Sequence, residues 1–213
     1  MNNDISYKVL ENNYLYIKED IKYIPTIDQM AFYSKYPISL YLKSYGSWYN
    51  FLKKMNDINL YQKNYSPLIL NFLQLIEKTK MTKSYKMGIF LIIFDKAKPL
   101  KQSYSLRELA LEFKNIYNYK PFIYDFNGKK FINLKNWNIE NYENLILSNP
   151  IYYLTENNKN SDFFTFSNDL FILNKNLYYQ LKNNNFIIDE IINRIHYRNI
   201  CYFKQKYNII YEY

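Results

Sequence analysis

Residues 37–56 read Pro-Ile-Ser-Leu-Tyr-Leu-Lys-Ser-Tyr-Gly-Ser-Trp-Tyr-Asn-Phe-Leu-Lys-Lys-Met-Asn. Ile38, Tyr41, Leu42 and Tyr45 fall at i, i+3, i+4, i+7, and after Gly46 the spacing starts again at Trp48, Phe51, Leu52 and Met55. Each set is the buried stripe of an amphipathic helix. Pro37 stands where a first-turn proline belongs, Gly46 breaks the chain, and Ser47 is placed to cap the second helix. Two short helices meeting at a glycine make a helix-turn-helix-like pair. Their polar sides carry Lys43, Ser44, Ser47, Asn50, Lys53 and Lys54. Those residue types near a helix start suit phosphate and base-edge contacts, and they suit equally an ordinary solvated basic face.

The same spacing recurs outward from this segment, in Ile69, Phe72, Leu73, Ile76; in Met87, Phe90, Leu91, Phe94; and in Leu106, Leu109, Ala110, Phe113. Ser66-Pro67 reads as an N-cap followed by a first-turn proline, and Ser-Leu-Arg-Glu at 105–108 as a capping box. After Tyr117 the pattern changes. Phe122, Tyr124 and Phe126 alternate before Asn127-Gly128, which predicts a hairpin within 120–134. Residues 138–147 return to a helix ending before Asn149-Pro150, residues 162–174 predict a second short hairpin, and 186–206 predicts the longest helix, buried through Ile188, Ile191, Ile192, Ile195 and Tyr202. The fold class is therefore mainly α. A helical lobe over roughly 1–98 precedes an α-rich lobe with one or two small hairpins over 99–213, divided at the polar stretch Lys96–Ser103 with its Pro99.

Composition excludes several functions. The 213 residues contain one His, one Cys and three isolated glycines. That leaves no disulfide framework, no Cys-rich or multi-histidine metal centre, no Walker A loop and no GxGxxG turn. No cofactor is implied. Lys plus Arg number 28 against 19 Asp plus Glu, a formal charge of +9, and aromatics make up 20% of the chain. AT-rich codon usage accounts for the bulk of the Lys, Asn, Ile, Tyr and Phe. The net charge is what phosphate binding with base stacking would use, although a tyrosine-rich surface serves a protein partner as well. Met1–Asp4 is polar with no apolar run behind it, and the longest apolar stretch, Met87–Phe94, is far short of the ~20 residues of a membrane span. With Cys201 as the only thiol, a reducing cytoplasmic setting is expected.

Catalytic readings are weak. Glu112-Phe113-Lys114 with Asp95 upstream has the letters of a nuclease E-x-K, but that chemistry needs a strand, where alternate residues face one metal. Here the tripeptide sits inside a capped helical stripe. His196 and Cys201 lie five apart on a helix, about 500° of rotation, so they are not stacked on one face. No catalytic or metal-ligating residues are expected.

A resemblance adds to this. Tyr41–Met55, with its Tyr-Gly-Ser-Trp core, resembles the short helical repeat appended to homing endonucleases, and a similar element occurs in the accessory region of large bacterial superfamily-2 helicases. Leu75–Phe90, containing Thr-Lys-Met-Thr-Lys-Ser-Tyr-Lys-Met, looks like an element in the C-terminal tail of DEAD/DEAH-box helicases linked to restriction and phage defence. Asn149–Leu154, the aromatic hairpin Phe163–Leu173 and Arg198–Phe203 follow in the same order, so the resemblance spans about 37–206. The departure is that no motor is present. The resemblance implies a nucleic-acid-engaging or motor-docking module without ATPase activity. From the matched element, Lys83 and Lys86 are expected to contact phosphate, with Thr82 and Ser84 as hydroxyl donors and Lys80 beside them. Thr82 is also a candidate N-cap for the following helix. The lysines lie opposite an apolar stripe, so their ammonium groups are expected to face solvent. The expected function is a non-enzymatic nucleic-acid-binding module, for DNA first, working with a separate helicase or nuclease in a bacterial defence or counter-defence complex. The alternative is a phage-encoded inhibitor that blocks such a complex.

Overall fold

Local signals and long-range packing divide the work of building this chain. The computed structural model describes residues 6–155 and 162–211; Met1–Asp4, read above as a polar start, lies outside them. In order, the elements are α1 (Tyr7–Ile21), α2 (Ile27–Tyr33), α3 (Ile38–Tyr45), α4 (Trp48–Lys54), α5 (Leu60–Lys63), α6 (Pro67–Lys78), α7 (Tyr85–Ile93), β1 (Ser103–Ser105), α8 (Leu106–Tyr117), α9 (Ile139–Ile146), α10 (Tyr152–Thr155), β2 (Phe164–Ser167), β3 (Leu170–Leu173), α11 (Lys175–Leu181) and α12 (Asn185–Tyr207). The chain is mainly helical with one small sheet. Among the described residues no helix is long and apolar enough to cross a membrane.

The three predicted serine caps form, although the capping box at 105–108 is half made, since Glu108 pairs with Lys101 and the box is not closed, and Pro37 is the N-cap of α3 rather than a first-turn residue. Ser47, Ser66 and Ser105 accept hydrogen bonds from the backbone N–H of Asn50, Ile69 and Glu108 at 3.1, 3.2 and 3.1 Å. Helices α1 and α2 carry signals of the same kind that the five stripes do not include. Leu10, Tyr14 and Ile17 are the buried residues of α1, and Thr26 with Gln29 makes a capping box on α2.

Two hydrophobic clusters result. The smaller gathers α1–α4 around Tyr14, Tyr41, Trp48 and Phe51, whose rings lie 5.0–6.4 Å apart, mostly edge to face, and takes Tyr197 from α12. Trp48 is 1% exposed, as its stripe requires. The larger cluster runs from Ile69 to Tyr211. The expected division at 98/99 falls inside it, because α6 and α7 bury their faces against α8, α12 and the sheet rather than against α1–α4. Helix α7 is buried nearly all round, which fits a short run that is apolar on every side.

Three local expectations are corrected. The Asn127-Gly128 segment is not a hairpin but a series of 3₁₀ turns at 122–126, 129–131 and 134–136. Phe122, Asp125 and Phe126 are its buried residues, an i, i+3, i+4 set that a helical turn satisfies and a strand does not. Helix α9 does not stop before Asn149-Pro150. It widens into a π turn over Leu147–Ile151, which accommodates the proline, and continues into α10. Helix α7 begins at Tyr85, so Ser84 and not Thr82 precedes it, and Ser84 makes no capping bond. The second hairpin does form, as β2 and β3 joined through Asn168 and Asp169, both at positive φ. Strand β1, which no alternation announces, pairs antiparallel with β3 (Ser103 opposite Ile172), giving the order β1-β3-β2.

Candidate functional site

The loop Thr79–Ser84, between α6 and α7, is short of its own backbone partners and is held by α12. Arg198 donates from Nη1 to the Glu77 carbonyl at 2.8 Å and from Nη2 to the Thr79 carbonyl. Lys206 Nζ donates to the Thr82 carbonyl at 2.7 Å, and the Tyr202 hydroxyl, whose proton goes to Asp125, lies 3.3 Å from the same carbonyl. One turn earlier, the buried Glu77 carboxylate accepts from Arg194 Nε at 2.8 Å and from the Trp48 N–H at 3.3 Å, tying α6 to α12 and to α4. Burial pushes the Glu77 carboxyl up, and Arg194 opposes the shift.

Asp125, 0% exposed, is the second anchor. It accepts from the Ser84 N–H at 2.6 Å, the Ser84 hydroxyl at 2.7 Å, the Tyr207 hydroxyl at 2.8 Å and the Tyr202 hydroxyl. Lys83 and Lys206 stand 3.9 and 3.6 Å from its Oδ1. Acceptance of this many donors is what keeps a buried carboxylate tolerable.

Beside the loop lies a cleft of about 900 Å³, walled by Lys78, Lys80, Lys83 and Lys86 with Thr79, Thr82, Tyr85, Asn149, Phe163 and the half-exposed Tyr153. Asp162 is the one acidic residue among its described lining. Lys78 and Lys80 are exposed, and no hydrogen bond or ion pair among the described residues engages their ammonium groups. Lys83 and Lys86 differ from the expectation of solvent-facing ammoniums. Lys83 donates to the Asp125 carbonyl at 2.7 Å and to Asn127 Oδ1 at 2.9 Å, and Lys86 donates to Thr79 Oγ1 at 2.7 Å. Burial pushes Lys86 down to about 8, helped by the Arg198 charge. Lys83 is also lowered by burial, against the pull of Asp125. The cause is that Lys83 lies in the loop ahead of α7, against the 3₁₀ segment that carries Asp125, and that Lys86, in the first turn of α7, packs beside Thr79 and near Arg198 of α12.

The structure therefore brings Lys80, Thr82, Lys83 and Lys86 to one cleft, while Ser84 is fully buried and serves Asp125 and Tyr117 instead. Lys43, Asn50, Lys53 and Lys54 are exposed on α3 and α4, Ser44 is half-buried, and Ser47 is a buried cap. None of these lines the cleft. The α3–α4 turn does touch its neighbourhood, because the Gly46 carbonyl accepts from Nε2 of Gln74, a lining residue. Lys78 is legible in the same Lys-Thr-Lys run as Lys80. Asp125 and Arg198 carry no local signal of their roles.

The catalytic candidates are engaged otherwise. Glu112 and Asp95 both reach Lys98, at 2.7 and 3.7 Å, on the surface, and Lys114 sits over the Tyr142 ring. Among the described residues no group of three or more His, Cys, Asp and Glu is placed to hold a metal. Burial pushes His196 down to about 4 and the Cys201 thiol up, the reverse of what an active base and thiolate require. No protein-family model, curated protein or solved structure matches the chain.

Proposed function

We propose that this protein is a non-enzymatic nucleic-acid-binding module, for DNA first, which works in the cytosol beside a separate helicase or nuclease in bacterial defence or counter-defence. The observation that carries the binding role is the cleft, whose described lining has four lysines to one acid and a tyrosine on its wall. Ammonium groups in a concave surface attract a phosphate backbone, and an aromatic face gives bases a sequence-tolerant platform. The pairing with a motor rests on the helicase-tail resemblance. Fluorescence anisotropy with labelled oligonucleotides tests the binding role. If four phosphates are neutralised on a single strand, the log–log salt slope is about −2.8, a loss of about 50-fold between 50 and 200 mM salt. Lys78→Glu with Lys80→Glu is expected to halve that slope. Binding that ignores salt, or ignores this double change, refutes the reading.

A second reading, a phage-encoded inhibitor of a defence complex, is favoured by a different surface. Phe32 and Tyr33 on α2 and Leu60 and Tyr61 on α5 all expose more than half of their area. Salt-insensitive capture of a defence complex, lost in Phe32→Ala with Tyr33→Ala, is its signature.

A further inference from the structure

A second cleft, of about 610 Å³, lies on the other side of the same loop. Lys80 and Thr82 belong to the first cleft and Met81, between them, to the second, so successive side chains of one non-helical stretch wall two depressions. The second cleft is lined by Lys35, Arg198 and Lys204, with Tyr36 among its other walls, and its described lining contains no acidic residue. Lys35 and Lys204 are exposed, and no ion pair among the described residues engages them. Arg198 spends both terminal nitrogens on the Glu77 and Thr79 carbonyls, and its buried Nε–H has no partner among the described residues. Across the two clefts the described lining thus carries seven cationic side chains and one carboxylate, Asp162.

Shape decides which form of nucleic acid suits this arrangement. A duplex is a stiff rod read by helices or ribbons that protrude into its grooves. Here the cations line depressions rather than a protruding helix or ribbon, and Lys83 and Lys86 are half-buried and tethered to the cleft wall. A flexible single strand can enter a depression, lay its phosphates along the lysines and turn a base onto Tyr153. We propose that the two clefts form one track for a single strand, crossing the Thr79–Ser84 loop from Lys78 and Lys80 on one side to Lys35 and Lys204 on the other. This proposal rests on the nucleic-acid reading above and specifies the form of its ligand.

The experiment compares dT4, dT12 and a 12-base-pair duplex by fluorescence anisotropy at 50 and 200 mM salt. Three charge-reversal variants are used, each checked for its wild-type melting curve: Lys78→Glu with Lys80→Glu, Lys35→Glu with Lys204→Glu, and Lys43→Glu with Lys53→Glu as a control away from both clefts. The expected result is that dT12 binds at least tenfold more tightly than either dT4 or the duplex. Each cleft pair weakens dT12 binding by at least tenfold and lowers its salt slope by about 1.4, which is two phosphate contacts. The control pair changes dT12 affinity by less than about twofold. Duplex binding equal to dT12 binding overturns the single-strand proposal and leaves the nucleic-acid reading standing. An unchanged dT12 affinity in Lys35→Glu with Lys204→Glu removes the second cleft from the track. Equal losses in the control pair mean diffuse attraction rather than a track. No binding of any probe by the wild-type protein refutes the nucleic-acid reading itself.

Discussion

Replacing Asp125 with Ala removes an acceptor that no other group at that position can supply. The carboxylate is fully buried and takes two hydrogen bonds from Ser84 and one from each of the Tyr202 and Tyr207 hydroxyls. In the alanine variant the Ser84 N–H and hydroxyl lose an acceptor in a fully buried setting, and Lys83 and Lys206 lose the charge that stands 3.9 and 3.6 Å from them. Each orphaned buried donor costs about 1–3 kcal/mol. Removing one partner of a buried charge set costs about 3–5 kcal/mol in total, since the individual losses share the same relaxation. For a chain of this size each kcal/mol lowers Tm by about 2–4 °C. The expected fall is therefore about 6–20 °C, out of a total stability of about 5–15 kcal/mol. Urea denaturation and thermal melting followed by circular dichroism measure it. Asp125→Asn, which keeps the shape and one acceptor but loses the charge, is expected to fall between wild type and alanine. A melting temperature within about 3 °C of wild type for Asp125→Ala would refute the idea that this carboxylate anchors the loop.

Trp48→Ala empties the centre of the smaller core and is expected to cost about 3–5 kcal/mol; a soluble variant with wild-type melting would show that the ring is not load-carrying. Gly88→Ala sets a Cβ 2.7 Å from Cε2 of Tyr117, a ring held against Phe113 at 4.0 Å, so a loss of about 1–3 kcal/mol is expected in urea titration, and an unchanged midpoint would contradict that packing. His196 is held neutral by burial, with Asp28 opposing and Tyr211 at 3.3 Å from Nδ1. Its folded pKa of about 4 lies below the unfolded value near 6.5, so the unfolded chain binds the extra proton and stability falls as pH drops from about 6.5 towards 4. His196→Gln should lose less stability than wild type between pH 7 and pH 5, and parallel losses would count against a buried neutral imidazole. Incubation with Mg²⁺ or Mn²⁺ should leave plasmid and single-stranded DNA intact, and cleavage abolished by Glu112→Ala would restore the nuclease reading.

What was legible along the chain is what depends on neighbours within a turn or two. The stripes that begin at Ile38, Trp48, Ile69 and Leu106 report one buried face each, and Ser47, Ser66 and Ser105 report caps, because helix periodicity and capping are local chemistry. The hairpin at 164–173 was legible for the same reason, through a turn that Asn168 and Asp169 can adopt. Tertiary structure decided the rest. Strand β1 exists because β3, more than sixty residues later, offers an unpaired edge. Phe122 to Phe126 alternates like a strand, yet it curls into a 3₁₀ turn because Asp125 must face Ser84, Tyr202 and Tyr207, which lie 41, 77 and 82 residues away along the chain.

The cleft shows the same division. Sequence alone placed Lys80, Lys83 and Lys86 within seven residues, with Thr82 among them as a hydroxyl donor. It also implied that all the lysines face water, since they lie opposite an apolar stripe, and it gave Lys43, Lys53 and Lys54 equal standing. Packing separated them. The 3₁₀ segment packs against Lys83 in the loop, and Thr79 with Arg198 of α12 holds Lys86 in the first turn of α7, so both become tethered, half-buried donors, while Lys78 and Lys80 stay open at the end of α6. Charge is a property of the residue and can be counted from the chain. Whether that charge lies in a cleft, on an open helix face or against a buried carboxylate depends on which distant segment covers it, and no local pattern carries that information.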